Sequence, residues 1–94
     1  MTVQPALRRT LEIRNRRGLH ARASARFVET VERFAASATV SRDGMRVDGG
    51  SIMGLLMLAA APGCVIEVET TGPEAEALMD ALQALVDDLF GEGA

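Results

Sequence analysis

A two-layer α+β fold, an antiparallel sheet of four strands covered on one face by three helices, is what this sequence predicts. Three observations carry the prediction. The apolar period switches repeatedly between two and about 3.6 residues along the chain, the mark of strands interleaved with helices. Asp43-Gly44 joins two alternating runs, a strong signal for a two-residue hairpin. Finally, the chain has 94 residues of which 48% are hydrophobic, enough for one small core that it is only marginally able to hide. The expected order is β-α-β-β-α-β-α in a single domain, 1–94, with an ordered core over about 7–90.

Each element follows from its own pattern. Leu7 to Arg14 alternates, with Leu7, Leu11 and Ile13 opposite Glu12 and Arg14, and predicts the first strand. From Ala21, the residues Ser24, Phe27/Val28, Val31 and Phe34/Ala35 recur at helical spacing. Ser37 to Arg42 and Met45 to Asp48 form the hairpin. "IMGLLMLAAA" is poor in β-branched residues and predicts a short helix after Ser51, ended by Pro62-Gly63. Cys64 to Thr70 alternates again, with Cys64, Ile66 and Val68 on one face. Pro73 is expected at the first position of the last helix, with Glu74 and Glu76 at its positive end. Ala75, Leu78/Met79, Leu82, Leu85/Val86 and Leu89 then give that helix its apolar stripe. The ends, Met1 to Ala6 and Gly91 to Ala94, are expected to be loose.

Composition narrows the function classes. Cys64 is the only cysteine and His20 the only histidine, so one chain has neither a disulfide framework nor a His/Cys zinc cluster; Cys64 is expected as strand filler. The longest apolar stretch, Ile52 to Ala61, is broken by Gly54 and too short to span a bilayer. Since Arg8 and Arg9 lead into polar residues and not into an apolar signal, a cytosolic protein is expected. All ten basic residues, every one an arginine, lie in residues 1–47 beside four acids, whereas residues 48–94 hold nine acids and no base. That asymmetry points to one anion-attracting region on an acidic body. With no Trp or Tyr and only three Phe, stacking platforms for nucleic acid are missing. No nucleic-acid, membrane or metal partner and no cofactor is therefore expected, and the chain is expected to be a monomer.

The stretch "RRGLHARASARF" focuses that asymmetry. In the first helix Arg22 and Arg26 come early and Glu29 and Glu32 late, the reverse of what the helix dipole prefers, with Arg16 and Arg17 just outside. Each misplacement costs only tenths of a kcal/mol at an exposed site, but the arrangement suits a helix mouth that holds an anion. His20 falls at the cap. A general base would need an orienting acid or a nucleophile nearby in sequence, and a metal ligand would need companions. A nucleophile needs a neutral ring nitrogen and a seat for the incoming anion. Gly18 permits a tight turn that stands His20 in front of the helix. A surface histidine with no role stays open beside the nucleophile, as does binding of a small anion alone.

"GLHARAS", followed by "GSIMGLLMLA", resembles the HPr family, the histidine-containing phosphocarriers of the bacterial phosphoenolpyruvate:phosphotransferase system. The likeness spans Leu7 to Phe90. It implies the open-faced β-sandwich and a stoichiometric carrier that is not itself an enzyme. By position, His20 matches the histidine that takes a phosphoryl group on Nδ1 from Enzyme I and passes it to a histidine of an Enzyme IIA. Arg22 matches the arginine that neutralises the phosphoryl oxygens. Ser51 matches the serine modified in many bacteria by an HPr kinase/phosphorylase. Ala21, Ala25, Ile52, Met53, Leu55 and Leu56 fall where the family docks its partners. Ala23 stands where the family usually has proline, and Gly50 where lysine often precedes the serine. "NRRGLH" is similar to both the sugar-type and the nitrogen-related branches. A non-relay regulatory module of the same fold is the alternative, although such a module has no need of the histidine.

Ser51 also suits a helix N-cap, and capping is compatible with added negative charge at that helix end. Met53, Leu55, Leu56, Met57 and Leu58 cannot all face inward on one short helix, so part of this set is expected at the surface as an adaptable patch.

Overall fold

The computed structural model describes residues 6–92. Four strands, β1 (Leu7–Glu12), β2 (Ser37–Arg42), β3 (Met45–Asp48) and β4 (Val65–Thr71), form one antiparallel sheet in the order β1-β4-β2-β3. Three helices, α1 (Ala21–Glu32), α2 (Ile52–Met57) and α3 (Ala75–Asp87), complete the expected order.

Register explains how the sheet is two-sided. Leu11 pairs with Ile66 and Val68 with Val40, so one face carries a row of apolar side chains, with Arg9 beside Val68 at its outer edge. Ile66, Val68 and Val40 are wholly buried there with Phe27 of α1 and Leu78 and Leu82 of α3. The alternate residues carry charge to solvent. Glu69, paired with Arg8 on β1, takes ion pairs from Arg8 at 3.0 Å and Arg46 at 3.6 Å. At the helix-facing edge, Arg9 reaches Asp80 of α3 at 3.3 Å. These exposed pairs each contribute little, about 0–1 kcal/mol. Burial of the apolar row is what joins the layers.

The hairpin turn has Asp43 at φ 49° and Gly44 at φ 82°, two left-handed residues in succession, as a two-residue turn of this kind requires. Other boundaries differ from expectation. Strand β1 stops at Glu12, although Ile13 stays buried and its amide still donates to the Cys64 carbonyl at 2.8 Å. Helix α1 ends at Glu32, leaving Phe34 half-buried and Ala35 exposed in the following turn. Helix α2 ends at Met57, not at Pro62-Gly63, because Ala59 turns left-handed at φ 51°. Helix α3 starts at Ala75, two residues after Pro73, with no side-chain cap of its own. Its cap residue Glu74 accepts instead from the Ala35 amide at 2.7 Å, tying α3 to the turn after α1.

After α3 the chain makes a short 3-10 turn, Leu89–Gly91. Leu89, Phe90 and Gly91 have φ of 55°, 54° and 74°. Left-handed backbone costs a non-glycine residue about 1–2 kcal/mol, so something must hold this turn. Phe90 is wholly buried, and its carbonyl accepts from Arg26 Nη1 at 2.8 Å. Of the end expected to be loose from Gly91, Gly91 and Glu92 are described and Glu92 contacts Asn15 and His20, while Gly93, Ala94 and Met1 to Pro5 lie outside the described residues.

Candidate functional site

The loop before α1 is held by backbone contacts to the far side of the fold. Asn15 accepts from the Gly18 amide at 3.1 Å through its carbonyl, and its side-chain Nδ2 donates to the Gly18 carbonyl at 2.7 Å. Leu19 then donates to the Ala60 carbonyl at 2.8 Å. Gly18 sits at φ 67° with backbone packed tightly against it: a Cβ there would meet the Ala60 oxygen at 2.5 Å and the Ala61 Cα at 3.0 Å. Both the turn and the close approach require glycine at this position.

That loop delivers His20 to the N-cap of α1 in extended backbone, φ −81° and ψ −177°. Its carbonyl accepts the first helical bond from Ser24 at 2.8 Å. Its ring does what a serine or aspartate usually does at a cap, with Nδ1 accepting from the Arg22 amide at 3.3 Å. The other ring nitrogen, Nε2, lies 2.6 Å from Glu92 Oε2. An ionised carboxylate only accepts, and Nδ1 is itself an acceptor, so the two contacts together select the neutral ring with its proton on Nε2.

Glu92 is fixed on both oxygens, for Asn15 Nδ2 donates to its Oε1 at 3.1 Å. Burial alone would push its carboxyl up, but the hydrogen bonds from His20 and Asn15, with the positive field of Arg17, outweigh it. The carboxyl is held below its ordinary value and is ionised at neutral pH. Side-chain exposure is 18% for His20 and 17% for Glu92, so the pair is shielded while the ring edge stays reachable.

Around this pair lies an open hollow of about 390 Å³, lined by Arg16, Arg17, His20, Arg22, Arg26, Gly91 and Glu92. Among the described residues the Arg22 side chain makes no hydrogen bond or ion pair. Arg26, the second arginine of the helix mouth, is partly committed to the Phe90 carbonyl. A neighbouring groove of about 450 Å³ runs past Arg22, Arg26, Glu29 and Arg33 and has no histidine in its lining. Helix α1 has no acid in its first turn, so the positive end of its dipole and the guanidinium groups face the hollow without an opposing charge from the helix itself. Ala23, at the position where proline was expected, is wholly buried and leaves the start of α1 at Ala21 intact.

The second motif is placed less uniformly. Ser51 caps α2, its Oγ accepting from the Gly54 amide at 3.0 Å. Among the expected docking residues, Ile52 and Met53 are 40% and 69% exposed and Ala21 is exposed, while Ala25 and Leu56 are half-buried. Leu55 is wholly buried and belongs to the core, because helical geometry turns it inward as Met53 and Met57 turn out. Met57, which the docking set omitted, is 62% exposed. Cys64 is half-buried, and Arg42 Nη2 lies 3.2 Å from its sulfur. Among the described residues no helix is long and apolar enough to cross a membrane, and no group of three or more His, Cys, Asp or Glu is placed to hold a metal.

The acid beside His20, Glu92, is not visible from the sequence around the histidine. No local pattern signals it, since the contact spans 72 residues and depends on the left-handed turn that precedes it.

Known proteins place this arrangement. Residues 7–88 match the family model described as "PTS HPr component phosphorylation site". The chain is 49% identical over 87 residues to the phosphocarrier protein HPr of Neisseria meningitidis serogroup A, covering 93% of this chain and 98% of that one. To the phosphocarrier protein NPr of Escherichia coli it is 38% identical over 87 residues, covering 92% and 97%. The crystal structure of HPr-C-His from Thermoanaerobacter tengcongensis superposes with a TM-score of 0.89 at 36% identity, over 94% of this chain and 99% of that one. A match over nearly the full fold, with a histidine at the mouth of α1, makes this chain a member of the HPr family of phosphocarriers of the phosphotransferase system.

Proposed function

We propose that the chain is a phosphoryl relay in which His20 Nδ1 accepts a phosphoryl group from Enzyme I and passes it to a histidine of an Enzyme IIA. The observation that carries this reading is the direction of Nδ1: its lone pair faces the first-turn amide of α1 beside a hollow lined by four arginines. Nδ1 cannot keep accepting from the Arg22 amide once it is bonded to phosphorus. The amide is then released to a phosphoryl oxygen, so the cap exchanges one acceptor for another and α1 keeps its N-terminus satisfied. Arg22, exposed and unpartnered among the described residues, neutralises the remaining oxygens. The exposed Ile52, Met53 and Met57 offer partners an apolar surface. The chain carries the group and leaves the machinery of each transfer to its partners, in the cytoplasm and as a monomer.

Incubation with phosphoenolpyruvate and Enzyme I is expected to give an acid-labile phosphate that His20→Ala abolishes. Absence of label on the wild-type chain under conditions where Enzyme I is itself phosphorylated defeats the relay.

Regulation at Ser51 is the second part of the proposal. Its Oγ already sits at the positive end of α2, where a phosphate is favoured electrostatically, and its dianion would alter the surface that partners meet. With ATP and an HPr kinase/phosphorylase, an acid-stable phosphate absent from Ser51→Ala is expected. Loss of the cap also makes that variant about 1 kcal/mol less stable, measurable by urea unfolding. A wild-type chain that the active kinase leaves unmodified removes the regulatory role.

A further inference from the structure

We propose that Glu92 is a positioning residue for phosphoryl acceptance: its carboxylate holds the His20 ring with the proton on Nε2 and balances the positive charge the ring acquires when Nδ1 is phosphorylated. The inference rests on the relay reading above and assigns one further residue to it.

The carboxylate is delivered to the ring by a built sequence of contacts. Phe90 plugs the core, Arg26 Nη1 holds the Phe90 carbonyl at 2.8 Å, and Gly91 at φ 74° redirects the chain toward His20. A side chain at Gly91 would displace the Arg26 guanidinium from its clasp, and φ 74° disfavours other residues there. Asn15, wholly buried, then spends both N–H bonds on the Gly18 carbonyl and Glu92 Oε1. Its own Oδ1 has no partner among the described residues, so the amide orientation is set by what it donates to. One side chain thus braces both the turn before His20 and the acid behind it.

The consequence for transfer follows from where electrons go. The donor is a phosphohistidine on the partner protein. The Nδ1 lone pair of His20 forms the new P–N bond as the donor's P–N bond breaks, and that bond's electron pair returns to the donor nitrogen. The proton on Nε2 stays in place, so the His20 ring becomes cationic. With the carboxylate at 2.6 Å from Nε2 the new charge arises beside a counter-charge already in position, at little reorganisation. A carboxylate behind the ring also restrains ring rotation, keeping Nδ1 directed at the helix mouth, as orienting acids do for histidines elsewhere.

The test compares the wild-type chain with Glu92→Gln and Glu92→Ala in two readouts. In the first, the imidazole N–H proton of His20 is sought by proton NMR on the unphosphorylated chain. A far-downfield signal protected from exchange is expected in the wild type, weakened in Glu92→Gln and absent in Glu92→Ala. In the second, the initial rate of labelling by phosphoenolpyruvate and Enzyme I is expected to fall about tenfold in Glu92→Ala, with Glu92→Gln between. Both variants keep Phe90, and matched circular dichroism confirms an intact fold. A Glu92→Ala chain that keeps the protected proton, or takes label at the wild-type rate, overturns the role of Glu92 and leaves the relay standing. A wild-type chain that takes no label overturns the relay and this role with it.

Discussion

Gly18→Ala is expected to destabilise the fold by about 3 kcal/mol, the sum of a left-handed conformation that alanine disfavours and an added methyl in a filled space. The methyl would lie 2.5 Å from the Ala60 oxygen and 3.0 Å from the Ala61 Cα, both backbone atoms that cannot swing aside. Relief would require the loop before α1 to part from the segment before β4, breaking the Leu19 to Ala60 hydrogen bond that seats His20. For a domain of this size the melting temperature should drop by about 15 °C, and labelling of His20 should slow because the acceptor loses its frame. Gly44→Ala is the control. Gly44 has φ 82° but nothing within 4 Å of its added Cβ, so only the conformational cost remains, about 1 kcal/mol. Equal losses from the two substitutions, by urea unfolding, would show that the tight approach at Gly18 carries no energy.

Phe90→Ala is expected to cost about 3 kcal/mol, the low end for truncating a wholly buried phenylalanine. The low end applies because part of the loss is returned. Without the ring to anchor it, the turn at Leu89 and Phe90 can leave its left-handed conformation and recover strain. That same release withdraws Glu92 from His20, so the variant should lose the protected imidazole proton although neither partner in the pair is altered. Phe90→Leu, which retains an apolar plug, should keep most of both. A Phe90→Ala chain with wild-type stability and an intact proton signal would mean that the turn is held by something other than this ring.

These two substitutions mark the limits of what the sequence discloses. The strands, the hairpin and the start of α1 are set by nearest neighbours, so their patterns are visible locally: Leu11 and Ile13 alternate, Asp43-Gly44 turns, and Phe27 and Val28 follow Ser24 at helical spacing. The arginines of the helix mouth were legible for the same reason, because a charge order opposed to the helix dipole is a local anomaly. Gly18 was identified as a turn, but the backbone pressed against it belongs to Ala60 and Ala61 and no local pattern reports it. The end of α2 and the turn after α3 rest on Ala59, Leu89 and Phe90 in a conformation that these residue types do not advertise. Tertiary packing imposes it. Glu92 is hidden behind that turn, and Leu55, placed among the docking residues by the family resemblance, lies in a six-residue helix that offers too short a stripe to tell its inner face.

The strand order β1-β4-β2-β3 has a consequence for how the molecule comes into being. β1 pairs with β4 alone, Leu7 meeting Thr70 and Glu12 meeting Val65, so the first strand made has no partner until one of the last is available. A chain emerging from the ribosome at about 5–20 residues per second therefore holds β1 unpaired for several seconds. α1 and the β2-β3 hairpin can form meanwhile from local contacts, but the loop that carries His20 gains its seat only when Ala60 and Ala61 arrive, and the ring its carboxylate only with Glu92. The site around His20 is thus completed only once the chain has been made through Glu92, and entropy of long-range closure sets its pace more than any helix does.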